Sequence, residues 1–295
     1  MAEMIQLKIN DLLMGDLHPP LYMGILNLSP ESFYKASVKT QRALVKQARE
    51  FLAQGAHFLD LGGRSTAPKA DVISLEEEEQ RVLEALELLL TEDLGKALVS
   101  LDTQYSQVAR RAFELFCRQG QEKRFVLNDV SCLCTDPGLS DFLAETKVPV
   151  ILMASHEKPG DSLGIKQSLA DLKAAMNKLH HKGYPVKERV ILDPAIGYWV
   201  PAKKANYDLE LVANLNSFRQ LEQPLLVGIS RKSFIGQTLG GRPPEERYYG
   251  SLAATAIAVF KGAHILRVHE IDQELRDISE LAFALRQAEI KEAST

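Results

Sequence analysis

Eight short apolar segments of this 295-residue chain each end on, or lead into, polar or charged side chains. The first ends in Asn27, and the second leads into Gly62-Gly63-Arg64-Ser65-Thr66. The third ends in Asp102-Thr103, and the fourth holds Asn128-Asp129. The fifth ends near Met153 and His156, and the sixth in Asp193-Pro194. The seventh leads into Ser230-Arg231-Lys232-Ser233, and the eighth carries Arg267 and His269. Carboxylates and amide oxygens accept hydrogen bonds, while lysine and arginine donate them with positive charge. Gathered at one place, these groups can bind and polarise a small polar molecule.

Each residue alone has a plainer reading. A lone Asn or Asp after a strand often caps the next helix, and Asp102 by itself is open to that reading. Asp129 is expected to serve structure, because alternation along a strand sends Asn128 and Asp129 to opposite faces. Asp60 reads likewise as a buried structural carboxylate. His57, His180 and His181 lie away from the segment ends and read as ordinary. The constellation, one polar group after almost every apolar segment, carries the functional reading.

The elements that position these groups follow from the alternation of patterns. The apolar segments cover 21–27, 57–61, 97–101, 125–130, 148–153, 189–192, 225–228 and 264–268, each of strand length and bounded by polar or turn residues. Amphipathic stretches such as 42–54, 75–90, 106–119 and 207–221 lie between them. Strands alternating with helices predict a parallel sheet with helical crossovers. Eight is the number that closes a barrel, whose catalytic groups sit at the C-terminal ends of the strands. An open doubly wound sheet is the alternative, but no G-x-G-x-x-G follows an early strand. The expectation is one (β/α)₈ barrel over residues 21–290, preceded by an extension, residues 1–20, forming a small hairpin across the barrel floor.

Composition narrows the class. Hydrophobic residues make up 45%, enough for a full core, and the formal charge of −4 weighs against a nucleic-acid partner. The opening MAEMIQLKIN lacks a basic, then apolar, leader pattern, so no signal peptide is expected. No apolar run approaches the ~20 residues of a membrane span. Cys117, Cys132 and Cys134 form neither a disulfide framework nor a zinc pattern, which fits a reducing cytoplasm. The acidic run 76–79 is read as the start of a helix, where carboxylates favour the dipole.

Seven segments in order carry a further signal. MGILNLSPESF, GAHFLDLGGRSTAP, SLDTQYSQVA, LNDVS, ILDPAIGY, LVGISRKSFIG and ILRVHE resemble the successive motifs of the dihydropteroate synthase family. The resemblance runs from Tyr22 to Glu270, nearly the whole barrel. It implies a transferase of folate biosynthesis that joins a pterin diphosphate to p-aminobenzoate and releases diphosphate. It also implies roles. Asp193 takes the pterin amino group and N3 as a bidentate pair, a charge-assisted arrangement. Asp102 and Asn128 complete the far edge, and Lys232 bonds the O4 and N5 side. Arg267 lays its guanidinium against the ring and faces the diphosphate. Met153 and Ser233 line the pocket, Thr66 lies near the ring and Ser65 near p-aminobenzoate. Lys232, Arg267 and His269 are the implied catalytic groups. Asn27 is the implied metal ligand, with Mg²⁺ as cofactor, and a homodimer through the last helices is implied.

The sequence departs from the family at its mobile loops. Where D-S-F-S-D-G-G is usual, Glu31-Ser32-Phe33-Tyr34-Lys35-Ala36-Ser37 stands. Where G-G-E-S-T-R-P-G is usual, Arg64 replaces the glutamate and Ala67 the arginine. The family's G-F-G-K is here Gly197-Tyr198-Trp199-Val200, without the lysine. The pterin-side residues are intact and the second-substrate side is altered. Arg64, or else Lys35, is expected to replace the positive charge lost at Ala67. Two other readings are a non-catalytic pterin-binding paralogue and a methyltransferase handling methyltetrahydrofolate and a corrinoid protein.

Overall fold

Short segments dominated by apolar side chains form the framework. A computed structural model describes residues 4–28, 38–64 and 73–292 of the chain. Strands β1 (Gln6–Ile9) and β2 (Leu12–Gly15) pair antiparallel. Then follow β3 (Leu21–Asn27), β4 (Phe58–Gly62), β5 (Leu98–Asp102), β6 (Phe125–Asp129), β7 (Val150–Met153), β8 (Val190–Asp193), β9 (Leu226–Val227) and β10 (Ile265–Val268). These eight form a parallel sheet in the order β8-β7-β6-β5-β4-β3-β10-β9. A bridge between Leu192 and Leu225 joins its two ends, helped by the Leu192 N–H donating to the Pro224 carbonyl at 2.9 Å. The sheet therefore closes as a barrel rather than staying open.

Helices cover the outside. They are α1 (Val38–Ala53), α2 (Leu75–Leu89), α3 (Ser106–Arg118), α4 (Gly138–Thr146), α5 (Gly164–His181), α6 (Val186–Arg189), α7 (Ala205–Ala213), α8 (Ser233–Thr238), α9 (Tyr248–Phe260) and α10 (Gln273–Glu292). The acidic run does open a helix: Ser74 and Glu77 make a reciprocal capping box at the start of α2. Between sheet and helices the core is continuous. Phe113, Phe116, Phe125 and Phe142 meet there edge to face with centroids 5.2–6.3 Å apart, a geometry favoured by the ring quadrupole.

The barrel interior is layered by the two-residue period of its strands. Met23, Phe58, Leu98, Val126, Ile151, Ile191, Leu226 and Ile265 make one apolar layer, plugged from below by Leu7, Ile9 and Met14 of the β1–β2 hairpin. Two residues further along these strands, toward the C-terminal rim, stand Asp60, Ser100, Asn128, Met153, Asp193 and Arg267. The same alternation that dries the floor thus sets polar groups above it.

One buried carboxylate pins the hairpin. Asp16 accepts from the Ile5 N–H at 2.8 Å, from both terminal nitrogens of Arg219 at 2.8 and 2.9 Å, from His264 Nε2 at 3.2 Å, and from Arg286. Arg286 lies on α10, so the floor is tied to the end of the fold. Among the described residues no helix is long and apolar enough to cross a membrane.

Candidate active site

Asp60 is fully buried in β4, at the centre of the polar layer. It accepts from Arg267 Nε at 2.7 Å and from Asn128 Nδ2 at 3.2 Å. Arg267 Nη2 reaches Asp102 Oδ2 at 3.4 Å. Asp102 and Asn128 are neighbours in register across β5 and β6. One guanidinium, two carboxylates and one amide therefore share a single cluster across four strands. Burial opposes the Arg267 charge, but Asp60 and Asp102 outweigh it and hold the guanidinium firmly protonated. Burial and the charge of Asp60 raise the proton affinity of Asp102, which the Arg267 charge opposes.

Asp193 ends β8, in register with Met153 of β7. Its Oδ1 accepts the Ala195 N–H at 2.7 Å. Burial raises its affinity for a proton; that N–H and the nearby Lys232 charge work the other way. Lys232 follows β9 and stands at the N-terminus of α8, with Ser233 the first residue of that helix. Its ammonium lies 5.1 Å from the centre of the Trp199 ring, within cation–π range. A Cβ on Gly197, which has φ +132°, would come within 3.0 Å of the Lys232 Nζ. Only glycine lets this backbone lie along the lysine. Burial and the Arg267 charge lower the Lys232 proton affinity.

The rim is arranged around this pocket. His269 Nδ1 is 3.1 Å from the Ser230 hydroxyl. Burial, then the charges of Arg267, Lys232 and Arg231, disfavour its protonated form. Arg231 turns away from Lys232, pairing with Glu270 at 2.9 Å and stacking 5.9 Å from the Tyr248 ring centre. Asn27 ends β3 beside Gly62, exposed at the rim. Asp129 points to the other face and takes the Ser131 N–H and hydroxyl and the Leu133 N–H at 2.6–2.8 Å, shaping the loop after β6. Ser65, Thr66, Ala67 and Lys35 lie outside the described residues.

Arg64 corrects one expectation. Its Nε donates to Glu78 Oε2 at 2.7 Å, Nη2 to the Ser74 carbonyl at 3.3 Å, and the guanidinium lies 5.3 Å from the Tyr105 ring centre. Glu78 is buried and also accepts from the Thr103 hydroxyl at 2.6 Å. Arg64 is thus the counter-charge of a buried carboxylate, not spare positive charge for a substrate. Glu78 lay inside an acidic run that reads as a solvated helix start, and nothing local separates it from its neighbours. Asp60 read as structural; its even spacing from Gly62 at the strand end was the available signal. Lys203 carries no signal in the sequence, because it stands in a loop with no period to read.

Seen together, Asp102, Asn128, Met153, Asp193, Lys232, Ser233, Arg267 and His269 come from six strands, β5–β10, and their following loops to one rim. The arrangement sets acceptors and cations side by side, Arg267 against Asp60 and Asp102 and Lys232 facing Asp193. A model of the pterin binding enzyme family matches residues 23–269. The dihydropteroate synthase of Synechocystis sp. is 35% identical over 274 residues, covering 89% of each chain. That of Escherichia coli (strain K12) is 35% identical over 268 residues, 88% of this chain and 89% of its own. A solved structure of Xanthomonas albilineans dihydropteroate synthase with 4-aminobenzoic acid is 31% identical, with a TM-score of 0.77, over 97% of this chain and 98% of that one. The same bacterium's enzyme in complex with 7,8-dihydropteroate gives 30%, 0.74, 96% and 98%. Matched over most of its length by the family model and by relatives of this identity, the chain belongs to the pterin binding enzyme family, among dihydropteroate synthases.

Proposed function

We propose that this chain condenses 6-hydroxymethyl-7,8-dihydropterin diphosphate with p-aminobenzoate, giving 7,8-dihydropteroate and diphosphate. The observation that carries the reading is the single rim on which Asp193, Asn128, Asp102, Lys232 and Arg267 meet, in a chain whose relatives are dihydropteroate synthases. The pterin edge carries donors at its amino group and N3, which an ionised Asp193 accepts in a charge-assisted pair. Lys232 donates to the O4 and N5 side, and Asn128 and Asp102 meet the far edge. Met153 and Ser233 line the ring, with Thr66 and Ser65 assigned to the ring and p-aminobenzoate sides. Arg267 faces the ring and the diphosphate, and its plane is held by Asp60.

The step is a displacement. The arylamine nitrogen forms a bond to the exocyclic methylene carbon, the bond from that carbon to the diphosphate oxygen breaks, and the nitrogen releases a proton. No covalent enzyme intermediate is needed. Arg267 and His269 stabilise charge on the departing diphosphate, as pre-organised donors do.

Mg²⁺ would assist by neutralising the diphosphate. Asn27 offers one neutral oxygen, and no cluster of three or more His, Cys, Asp or Glu that could hold a metal occurs among the described residues. That donor set fits an ion shared with diphosphate, as Mg²⁺ commonly binds, rather than a resident one. Mg²⁺ affinity should therefore rise when diphosphate is present. Ile257 and Tyr249 on α9 and Leu281 and Leu285 on α10 are exposed large apolar side chains; they support a homodimer through the last helices, which Leu281→Glu/Leu285→Glu should dissociate in sedimentation. Three free cysteines support a reducing, cytoplasmic setting.

Steady-state release of diphosphate from the pterin diphosphate, dependent on p-aminobenzoate, tests the activity. Pterin binding without release would instead favour the non-catalytic paralogue.

A further inference from the structure

Lys203, between β8 and α7, is a lysine turned inward: 1% of it is exposed. Its ammonium donates to the Ala195 carbonyl and lies 3.5 Å from the Gly160 carbonyl. These carbonyls belong to different loops, the one after β8 and the one after β7. Unpaired burial of an ammonium is strongly unfavourable, so such a group persists where it holds something in place. Burial brings its proton affinity down to about 8, against the facing charges of Asp208, Asp193 and Asp161, with Lys232 as the facing cation.

What it holds is one residue away from the pocket. Ala195 has φ +63°, the left-handed region that residues with a Cβ avoid. That turn aims its N–H at Asp193 Oδ1, 2.7 Å away, while its carbonyl turns to Lys203. A single residue thus connects the buried ammonium to the carboxylate. At the other end, the Gly160 N–H is held by the Ser155 hydroxyl at 2.8 Å. A Cβ on Gly160 would meet the Trp199 ring at 2.1 Å, and it is this ring that Lys232 overlies. The position where the family resemblance leads to a lysine is Val200; of the two lysines of this loop, Lys203 stands three residues later and faces inward, and Lys204 is exposed.

We infer that Lys203 is a positioning residue for pterin recognition: by joining the β7 and β8 loops it fixes the left-handed turn at Ala195 and so aims Asp193. The inference rests on Asp193 being the pterin carboxylate, as proposed above. It accounts for a cation buried away from solvent beside the pocket, and for a left-handed residue next to the binding carboxylate.

The test is calorimetric binding of 6-hydroxymethylpterin to the full chain, with the KM for p-aminobenzoate beside it. Lys203→Met should lose about tenfold in pterin affinity, the worth of a charge-assisted hydrogen bond, and should leave the KM for p-aminobenzoate within about twofold. Glycine adopts the left-handed turn unaided. In an Ala195→Gly background the same change should therefore cost much less. The ratio of parent to Lys203→Met affinity, in which titration of the ligand cancels, should fall as pH rises through about 8. Equal losses in both backgrounds, a pH-independent ratio, or a matching rise in the KM for p-aminobenzoate would each overturn the proposal. If Lys203→Met does not fold, Lys203→Gln, which keeps a donor without the charge, is put through the same comparisons. Asp193→Asn is the control. If it binds pterin like the parent, the reading of Asp193 fails; if it loses pterin while Lys203→Met does not, only the role of Lys203 fails.

Discussion

Asp60 and Arg267 meet at 2.7 Å across the barrel although 207 residues separate them in the chain. The carboxylate is fully buried and the arginine side chain is 21% exposed. Removing one partner of such a pair leaves an uncompensated buried charge, which costs roughly 3–5 kcal/mol. Asp60→Ala should lower unfolding free energy by that order and reduce pterin affinity together, because Arg267 loses its anchor. Denaturant titration and pterin calorimetry on the same preparation check it; a stable variant with parental affinity would contradict the anchoring role.

Lys232 and Arg231 are adjacent but face different ways, one over Trp199 and the other onto Glu270. Lys232→Ala should depress turnover and pterin affinity by about a hundredfold or more, the order of losing a charged hydrogen-bond donor in a desolvated site. Arg231→Ala should change kcat/KM by less than about fivefold, since its ion pair with Glu270 is partly exposed to solvent and points away from the pocket. Steady-state kinetics on both variants decide the matter, and the reverse ranking would be fatal to the assignment.

Arg64 is bound to the buried Glu78. Arg64→Ala should therefore destabilise the fold by roughly 3–5 kcal/mol and leave the KM for p-aminobenzoate little changed. Adding Glu78→Gln should recover part of the stability, because no lone charge then remains buried. Thermal unfolding of the single and double variants is the measurement. An additive double variant would mean that the pair is not coupled.

The floor cluster predicts a dependence on pH. His264 Nδ1 accepts the Leu225 N–H at 3.0 Å, so its Nε2–H is the one that faces Asp16 and the ring is neutral. Burial depresses its proton affinity. Below about pH 6.5 the unfolded chain takes up a proton that folded His264 refuses, so its contribution to stability falls as pH drops, by up to about 1.4 kcal/mol per pH unit. Burial opposes the Asp16 charge, but hydrogen bonds from His264, Arg219 and the Ile5 N–H, with the charge of Arg286, hold the carboxyl well below the usual range. Its stabilisation is full above about pH 4, the ordinary carboxylate value, and is lost on further acidification. Urea titrations of the parent and His264→Gln at several pH values should show the parent's advantage shrinking between about pH 6.5 and 5; a constant difference would refute the neutral, buried histidine.

The sequence by itself determined the elements and the rim. Strand and helix periods are local properties, so the eight apolar segments coincide with β3–β10 to within a residue or two, and counting two residues at a time from each floor residue reaches Asp102, Asn128, Asp193 and Arg267. The motif order determined the family, which the matched relatives bear out. Tertiary structure decided the pairings. That Asp60 holds Arg267, that Glu78 in an acidic run neutralises Arg64, and that Lys203 turns inward under Ala195 are not written in any local pattern. Barrel closure brings Asp60 and Arg267 together across 207 residues, whereas Arg64 and Glu78, 14 apart, and Lys203 and Ala195, 8 apart, meet only because the chain leaving a strand folds back over the rim. In water these charged groups gain little from pairing; once closure removes solvent, an unpaired charge becomes costly, and the partner within reach is set by geometry alone.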